Sequence, residues 1–376
     1  MKINNKYILK CIHEIIEEYH ENGAKSNKNK TNIYLTKISM ITPKFLKEKM
    51  LKPMYRLYLK HNTKTNPLEY KYSEIDLKWS LNFLEYSLTH EVNFNLDLFE
   101  NDNDKKEIIK FIKNKLYMAL RGQLFTYNLF TEDDLTYFKK YDDFFRKNIK
   151  FKNANYTDIN YNNKKYTLAS SNVGISSFYH NYGLDIIPKK VISNIAHKNI
   201  LDCGAFVGDS ALIFEKLKPK KIYSFEPDTK NYLKLIETIK LNNLNPLITP
   251  IKKGLGDKNK NVYLENALDS SYIKKNNLKT KDSEKIEITT IDNFIQDNVG
   301  LIKMDIEGYE LEAIKGAEKT IKKNRPVLLI CLYHTGKDFF EIPKLINKWN
   351  LNYTYRFLNL YKIHPTNERV LIAYPN

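Results

Sequence analysis

The chain has 376 residues, enough for two domains of ordinary size, and 42% of them are hydrophobic, so a packed core can form. Its formal net charge of +17 comes mainly from lysines scattered along the chain, which is typical of a solvated surface and also compatible with an anionic partner. Cys11, Cys203 and Cys331 are far apart and show no CxxC spacing, which argues against a disulfide framework and a zinc site.

The start of the chain, MKINNKYILKCIHEIIEEYH, contains no long apolar run followed by a small-residue cleavage site. No other stretch approaches the roughly 18 consecutive apolar residues of a membrane-spanning helix. An odd number of widely spaced cysteines suits a reducing compartment. We therefore expect a soluble cytoplasmic protein.

Residues 1–150 are expected to be mainly helical. Apolar residues recur every three or four positions over residues 7–19, which places them on one face of a helix. A second helix is predicted around residues 108–116. Thr131, followed by three acidic residues, has the pattern of a helix start.

The periodicity disappears between residues 146 and 166, where Asn, Lys and Tyr dominate. Such a stretch predicts a long connection or a domain boundary. We therefore divide the chain into a helical N-terminal region, residues 1–150, and a second domain, residues 165–376.

From residue 186 onward, short apolar runs alternate with helical stretches, which is the pattern of βαβ units in a parallel sheet. The predicted strands are residues 199–203, 221–226, 246–252, 262–265, 287–291, 300–305, 327–333, 353–358 and 369–374. Their alternation with helices favours an α/β fold with a doubly wound sheet.

The turn after the first of these strands, in NILDCGAFVGDSALIF, is predicted to bind a nucleotide-like ligand. Gly204 and Gly208 allow a ligand to approach the backbone closely, at the turn where such sheets bind cofactors. Glu226 follows Asp202 by 24 residues and ends the next strand. A carboxylate there can accept hydrogen bonds from ribose hydroxyls.

Two features favour S-adenosylmethionine over NAD as that ligand. The turn reads DCGAFVG and lacks the third glycine of GxGxxG, on which the binding of a dinucleotide pyrophosphate depends. Asp202 and Asp209 would repel a pyrophosphate, whereas a carboxylate suits the ammonium group of a methionine moiety. An ordinary α/β turn that binds no ligand is the alternative.

The segment GLIKMDIEGYELEAIKGAEKTI, followed by NRPVLLICLYH, makes the pattern specific. It places Asp305, Glu307 and Gly308 between a strand and a helix. Together with GAFVGDSALIF, SFEPDTKNY, ICLYHTGKDFFEIP and the final ERVLIAY, it resembles the FkbM family of S-adenosylmethionine-dependent methyltransferases over about residues 180–376. The resemblance implies a Rossmann-like class I methyltransferase sheet, mostly parallel, with a reversed hairpin at its edge.

Carried over position by position, the resemblance also implies a set of cofactor contacts. Glu226 would bind the ribose, and Pro227 would face the adenosine. The residues at the methionine end would be Asp202, Gly204, Phe206, Gly208 and Asp209. Two positions depart from the family pattern: Cys203 stands where Ile or Gly is usual, and Glu368-Arg369 replaces a Glu-Thr pair near the end.

Methyl transfer to a hydroxyl needs a base that removes its proton. His334 is the favoured base, because an ordinary histidine pKa of about 6.5 suits neutral pH. A histidine merely packed near a loop is the alternative. Asp305 and Glu307 are further catalytic candidates, which either orient the acceptor or hold a divalent cation. Two carboxylates without further ligands do not establish a metal site, so none is assigned. His180 and Tyr182 are candidates for a lid.

The leading interpretation is an O-methyltransferase that acts on a hydroxyl of a sugar or glycan precursor, such as a nucleotide sugar of polysaccharide biosynthesis. This acceptor class rests on the resemblance alone. A nucleic-acid methyltransferase is suggested by the positive charge, but the sequence has no Asn-Pro-Pro-Tyr-like motif and no RNA-binding signature. A non-catalytic module that binds cofactor or sugar is the third possibility. The N-terminal region is interpreted, from its position alone, as selecting the acceptor or a partner.

Overall fold

The computed structural model describes residues 2–23, 74–121, 132–266, 271–273, 283–362, 364 and 366–376. The first part of the chain forms β1 (Lys2–Asn4), α1 (Asn5–Gly23), α2 (Glu74–Thr89), β2 (Asn93–Asn95), α3 (Asp102–Arg121) and α4 (Glu132–Asn148). It continues with β3 (Ile149–Phe151), β4 (Thr157–Tyr161), β5 (Lys164–Leu168), α5 (Ile175–Phe178) and α6 (Lys189–Ser193).

The second part begins with β6 (Asn199–Cys203), α7 (Asp209–Phe214), β7 (Lys221–Phe225), α8 (Thr229–Leu241), β8 (Ile248–Ile251), β9 (Gly254–Leu255), β10 (Lys260–Asn266), β11 (Ser271–Ile273) and β12 (Ser283–Thr289). It ends with α9 (Ile291–Phe294), β13 (Val299–Met304), α10 (Glu310–Lys315), α11 (Glu318–Asn324), β14 (Val327–Cys331), α12 (Gly336–Lys348), β15 (Tyr353–Asn359) and β16 (Arg369–Pro375).

The central sheet has seven strands in the order β15-β16-β14-β13-β6-β7-β8. Strands β14, β13, β6, β7 and β8 pair in parallel, whereas β16 is antiparallel to both β14 and β15. Every residue of β6, β13 and β14 is buried, as expected of strands covered on both faces. The predicted Rossmann-like methyltransferase sheet is confirmed. The hairpin of β15 and β16 lies at the edge of the sheet: β15 is the edge strand, and the reversed strand β16 lies between β15 and β14.

Two of the predicted strands lie outside this sheet. Residues 262–265 and 287–291 overlap β10 and β12, which pair antiparallel in a separate four-stranded sheet, β11-β10-β12-β9. Buried and more exposed residues alternate along the second half of β12. Its buried residues, Ile286 and Ile288, form a small core with Val262 and Leu264. The prediction that all strands belong to one doubly wound sheet was therefore wrong for these two segments. Their alternating burial is typical of antiparallel strands with one face covered.

The stretch from 146 to 166, predicted to be a long connection or a domain boundary, has regular structure that the loss of periodicity did not predict. It contains the antiparallel strands β3, β4 and β5. Asn162 and Asn163 join β4 to β5 with positive φ angles of 49° and 59°. Two such residues form the tight turn that suits a twisted hairpin, so the Asn-Asn pair was the signal for it.

The predicted helices of the N-terminal region are confirmed as α1 and α3, whereas the predicted cap Thr131 lies outside the described residues. Helices α2 and α3 contribute Phe83 and Phe111 to a buried aromatic group that also includes Phe339 and Phe340 of α12 and Phe357 of β15. In the first turn of α3, Asp104 accepts hydrogen bonds from Arg356 Nε at 2.6 Å and from Phe357 N at 3.0 Å. The helices thus pack against the β15 edge, and the division into two domains stays a proposal. None of the described helices is both long and apolar enough to span a bilayer.

Candidate cofactor and acceptor site

A cavity of about 290 Å³ lies at the carboxyl ends of β6, β7 and β13. Because parallel strands deliver their carboxyl ends to one edge of the sheet, the turns that follow them meet there. These turns contribute to the lining Gly204, Phe206, Asp209, Glu226, Pro227, Asp305 and Glu307. The sequence therefore identified three of the turns that line the cavity.

Gly204 brings two of these turns into direct contact. Its φ is +79°, and an ideal Cβ at this position would lie 1.8 Å from the carbonyl oxygen of Asp305. Its amide donates to Phe225 O at 3.0 Å, and the amide of Ala205 donates to the same oxygen at 2.9 Å. The turn after β6 is thereby fixed between the ends of β7 and β13, where no side chain fits.

Glu226 presents a carboxyl group that the neighbouring backbone holds in place. Its Oε2 accepts from Phe206 N and its Oε1 from Asp228 N, each at 2.9 Å. Burial raises the pKa of Glu226 to about 8, although these amide donors oppose the shift. Each oxygen keeps a second lone pair, which matches the hydroxyl donors of a ribose.

Asp202 is fully buried and is not among the described residues that line the cavity. The hydroxyl of Ser210 donates to its carboxylate at 2.8 Å, and Lys303 Nζ lies 3.4 Å from its Oδ1. Lys303 is its register partner on β13 and also donates to Gly204 O at 2.6 Å. Asp202 therefore supports the turn from behind instead of facing a ligand.

Gly208 also lies outside the lining and caps α7 with a φ of 95°. Directly after it, Asp209 faces the cavity and accepts from Ser177 Oγ at 2.6 Å. Burial raises the pKa of Asp209, while the hydroxyl of Ser177 and the charge of Lys303 oppose this. Of the residues predicted for the methionine end, Gly204, Phe206 and Asp209 thus line the cavity.

Three carboxyl groups, which we call the acidic cluster, line the other part of the cavity: Asp305, Glu307 and Glu368. Tyr182 donates to Asp305 Oδ2 at 3.2 Å, and Tyr333 donates to Asp305 Oδ1 at 3.1 Å. The Tyr333 hydroxyl also lies 3.4 Å from Glu368 Oε1. The Tyr333 hydroxyl therefore bridges Asp305 and Glu368.

The three carboxyl groups of the acidic cluster differ in pKa. Burial, with the charge of Asp305 nearby, raises the pKa of Glu307 to about 8 and that of Glu368 to about 7. Burial alone would also raise the pKa of Asp305, but the positive charges of Lys303 and His334 outweigh it and lower that pKa. The cluster thus combines one carboxyl group whose pKa is lowered with two whose pKa is raised towards neutral pH.

His334 is fully buried and is not among the described residues of the cavity wall. Its Nδ1 lies 2.9 Å from Glu310 Oε1, and its Nε2 lies 3.5 Å from Asp305 Oδ1. Burial would lower the pKa of His334, but the surrounding carboxylates, above all Glu310, raise it to about 10. The ring therefore lacks the two properties that favoured it as a base, an ordinary pKa and access to an acceptor.

Sequence reasoning missed Lys303, Tyr333 and Glu368 as site residues. A signal existed for Lys303, since a charge in the otherwise apolar central strand VGLIKM needs a partner. Of the two lid candidates, Tyr182 lines the cavity, whereas His180 instead contacts the Tyr137 hydroxyl of α4 at 2.6 Å.

Backbone strain is a feature of this cavity that the sequence did not reveal. Four non-glycine residues that line it have positive φ angles: Tyr182, Phe206, Glu307 and Glu368. Such conformations cost about 1–3 kcal/mol each and are concentrated at functional sites. These backbone conformations direct the four side chains towards the cavity, where a helix or a strand would not place them.

The family model described as methyltransferase FkbM domain matches residues 202–357. This segment is a methyltransferase FkbM domain. It supplies Glu226, Asp305 and Glu307 to the cavity, whereas Ser177, Tyr182 and Glu368 come from outside the matched range.

Solved structures similar to the chain include other methyltransferases. The methyltransferase FkbM from Methylobacillus flagellatus KT is 26% identical, with 47% of this chain and 43% of that chain covered and a TM-score of 0.38. The M. jannaschii tRNA m1G37 methyltransferase is 15% identical, with 60% and 58% covered and a TM-score of 0.35. SMU.1697c of Streptococcus mutans, a putative methyltransferase solved with SAH, is 13% identical, with 49% and 94% covered and a TM-score of 0.33.

The matched region spans less than half of the FkbM methyltransferase and less than two thirds of the tRNA methyltransferase. No curated protein matches the chain.

Proposed function

We propose that the protein is an S-adenosylmethionine-dependent O-methyltransferase whose acceptor is a hydroxyl of a sugar or glycan precursor, such as a nucleotide sugar. The observation that carries this proposal is one cavity that joins the Glu226 carboxyl to the acidic cluster. The match of residues 202–357 to the methyltransferase FkbM domain supports methyl transfer as the reaction, and the cavity supports the finer assignment.

The part of the cavity away from the acidic cluster, lined by Gly204, Phe206, Asp209, Glu226 and Pro227, fits the cofactor. When bound, S-adenosylmethionine supplies a methyl group already activated by its sulfonium. Glu226 would accept hydrogen bonds from the ribose hydroxyls, and Pro227 would pack against the adenosine side. Gly204 presents its backbone to the cavity, and the carboxyl group of Asp209 would bind the ammonium of the methionine moiety.

The acidic cluster supports a hydroxyl acceptor. Asp305 and Glu307 would orient it, since carboxylates accept hydrogen bonds from hydroxyl groups. Glu368 would be the general base, because its carboxyl lies in the cavity and is positioned by the hydroxyls of Ser176 and Tyr333. His334 would act as a positioning residue through Glu310 and Asp305. A polynucleotide fits this end less well, since its phosphates would be repelled.

The compartment of the protein and the roles of the two parts of its chain belong to the same proposal. The three cysteines are free and buried, which supports a reducing compartment, and we place the protein in the cytoplasm. Residues 1–150 would select the acceptor or bind a partner, and residues 165–376 would perform the transfer.

The test is transfer of labelled methyl groups from S-adenosylmethionine to a panel of nucleotide sugars. Transfer to a hydroxyl, with kcat at least about 100-fold lower in Glu368→Gln and cofactor binding retained, would support the proposal. Glu237→Gln is the matched control, since Glu237 instead accepts from Tyr156 away from the cavity. Transfer to tRNA but to no sugar would contradict the proposed acceptor. Cofactor binding without transfer to any hydroxyl would indicate a non-catalytic module.

A further inference from the structure

The acidic cluster lies against a buried imidazole. Nε2 of His334 lies 3.5 Å from Oδ1 of Asp305 and 3.9 Å from Oε2 of Glu307. Within the described part of the chain, neither ring nitrogen of His334 nor Oε2 of Glu307 has a hydrogen-bond partner, although all three atoms are buried. Because buried polar atoms are normally paired, Nε2 and Oε2, which face each other, point to a further ligand between them.

We propose that Asp305, Glu307 and His334 form a binding site for a divalent cation of the Mn²⁺ class. Two carboxylates with one imidazole nitrogen suit a first-row divalent cation such as Mn²⁺ better than Mg²⁺ or Ca²⁺, which take oxygen donors almost exclusively. Atoms bound to one octahedral cation through bonds of about 2.1 Å lie about 3 to 4.2 Å apart. The separations of 3.5 and 3.9 Å between Nε2 of His334 and the two carboxylate oxygens fall within this range, so the imidazole can share a cation with either carboxylate.

Glu310 provides the outer support that such a site requires. Its Oε1 lies 2.9 Å from Nδ1 of His334 and accepts from Ile306 N at 2.8 Å, while its Oε2 accepts from Gly308 N at 2.9 Å. A carboxylate beside the far ring nitrogen is the usual arrangement at a metal-binding histidine, although Nδ1 and Oε1 do not meet in hydrogen-bond geometry here. Ligand atoms of Asp305, Glu310 and His334 lie within 4.8 Å of one another.

A simple ion pair accounts less well for this arrangement. An imidazolium paired with a carboxylate would place its N–H on an oxygen, but at 3.5 and 3.9 Å neither contact of Nε2 is a hydrogen bond. Asp305 and Glu307 line the cavity, so the remaining coordination positions of the cation would face it and accept oxygen ligands. Cation binding at this site does not depend on the proposed methyl transfer.

The test is a titration of the metal-free full-length protein with Mn²⁺, followed by electron paramagnetic resonance. We expect one bound Mn²⁺ per chain, with an affinity at least about tenfold lower in His334→Asn and in Glu307→Gln. Glu312→Gln is the control and should bind as the wild type does, because Glu312 lies on α10 and pairs with Lys337.

Pulsed resonance on the wild type gives a readout that survives if a variant does not fold, since a coordinated imidazole produces a nitrogen coupling. Its presence is expected. Three outcomes would overturn the proposal: no bound Mn²⁺ in the folded wild type, bound Mn²⁺ without nitrogen coupling, or binding that neither substitution weakens. Cofactor binding measured on the same sample would separate this failure from failure of the proposed function.

Discussion

Gly204 contacts the carbonyl oxygen of Asp305 so closely that an ideal Cβ on Gly204 would lie 1.8 Å from it. This backbone contact joins the turn that faces the proposed cofactor to the turn that carries the acidic cluster. The two halves of the cavity are therefore positioned relative to each other by the absence of one side chain.

Gly204→Ala should disrupt both stability and cofactor binding. The substitution forces a methyl group onto a backbone oxygen at a φ of +79°, so the two turns must separate. We expect a loss of about 2 kcal/mol or more in the free energy of unfolding, measured in urea. Gly254→Ala is the control, because its Cβ would meet the movable tip of Ile288. Equal stability of the two variants would show that the contact is not rigid.

Asp104→Asn should detach the N-terminal helices from the sheet edge. Asp104 is almost fully buried and accepts from Arg356 and from Phe357 N, so its loss leaves a guanidinium without its partner. Breaking such a pair costs about 3–5 kcal/mol. Asp102→Asn, two residues earlier, should cost less than about 1 kcal/mol, since Asp102 is 83% exposed in its pair with Lys105. Thermal unfolding of both variants measures the difference.

Glu226 should make the free protein less stable as the pH rises. Its pKa in the folded state, about 8, exceeds the ordinary value of 4.5, so between these values the folded state holds a proton that the unfolded state releases. The stabilising contribution is present below about pH 4.5 and is lost as the pH rises towards 8.

The measurement compares unfolding free energies of the wild type and Glu226→Gln from pH 5 to pH 8. The wild type should lose stability relative to the variant by on the order of 1 kcal/mol per pH unit. Parallel curves would mean that Glu226 is already ionised in the folded protein.

The sequence predicted the sheet well, because βαβ periodicity and buried strands are local signals. β6, β13 and the turns that carry Glu226 and Asp305 all lie where expected. It failed at β10 and β12, since a strand sequence does not show which sheet the strand joins. It did not show the surroundings of His334, because neither complete burial nor the charge of Glu310 can be read from the order of residues.

Glu368 illustrates the same limit. The sequence shows it only as part of the Glu368-Arg369 pair that replaces a Glu-Thr pair near the end of the chain, whereas the β15–β16 hairpin brings it to Tyr333 and Ser176. Long-range pairing, and not local pattern, therefore completes the acidic cluster.

The most direct test of the central claim is equilibrium binding of S-adenosylmethionine, S-adenosylhomocysteine and NAD to the purified protein. The account predicts dissociation constants of about micromolar for the first two, at least about tenfold weaker binding in Glu226→Ala, and no change in Glu237→Ala. Binding of NAD in their place, or binding that Glu226→Ala leaves unchanged, would contradict it.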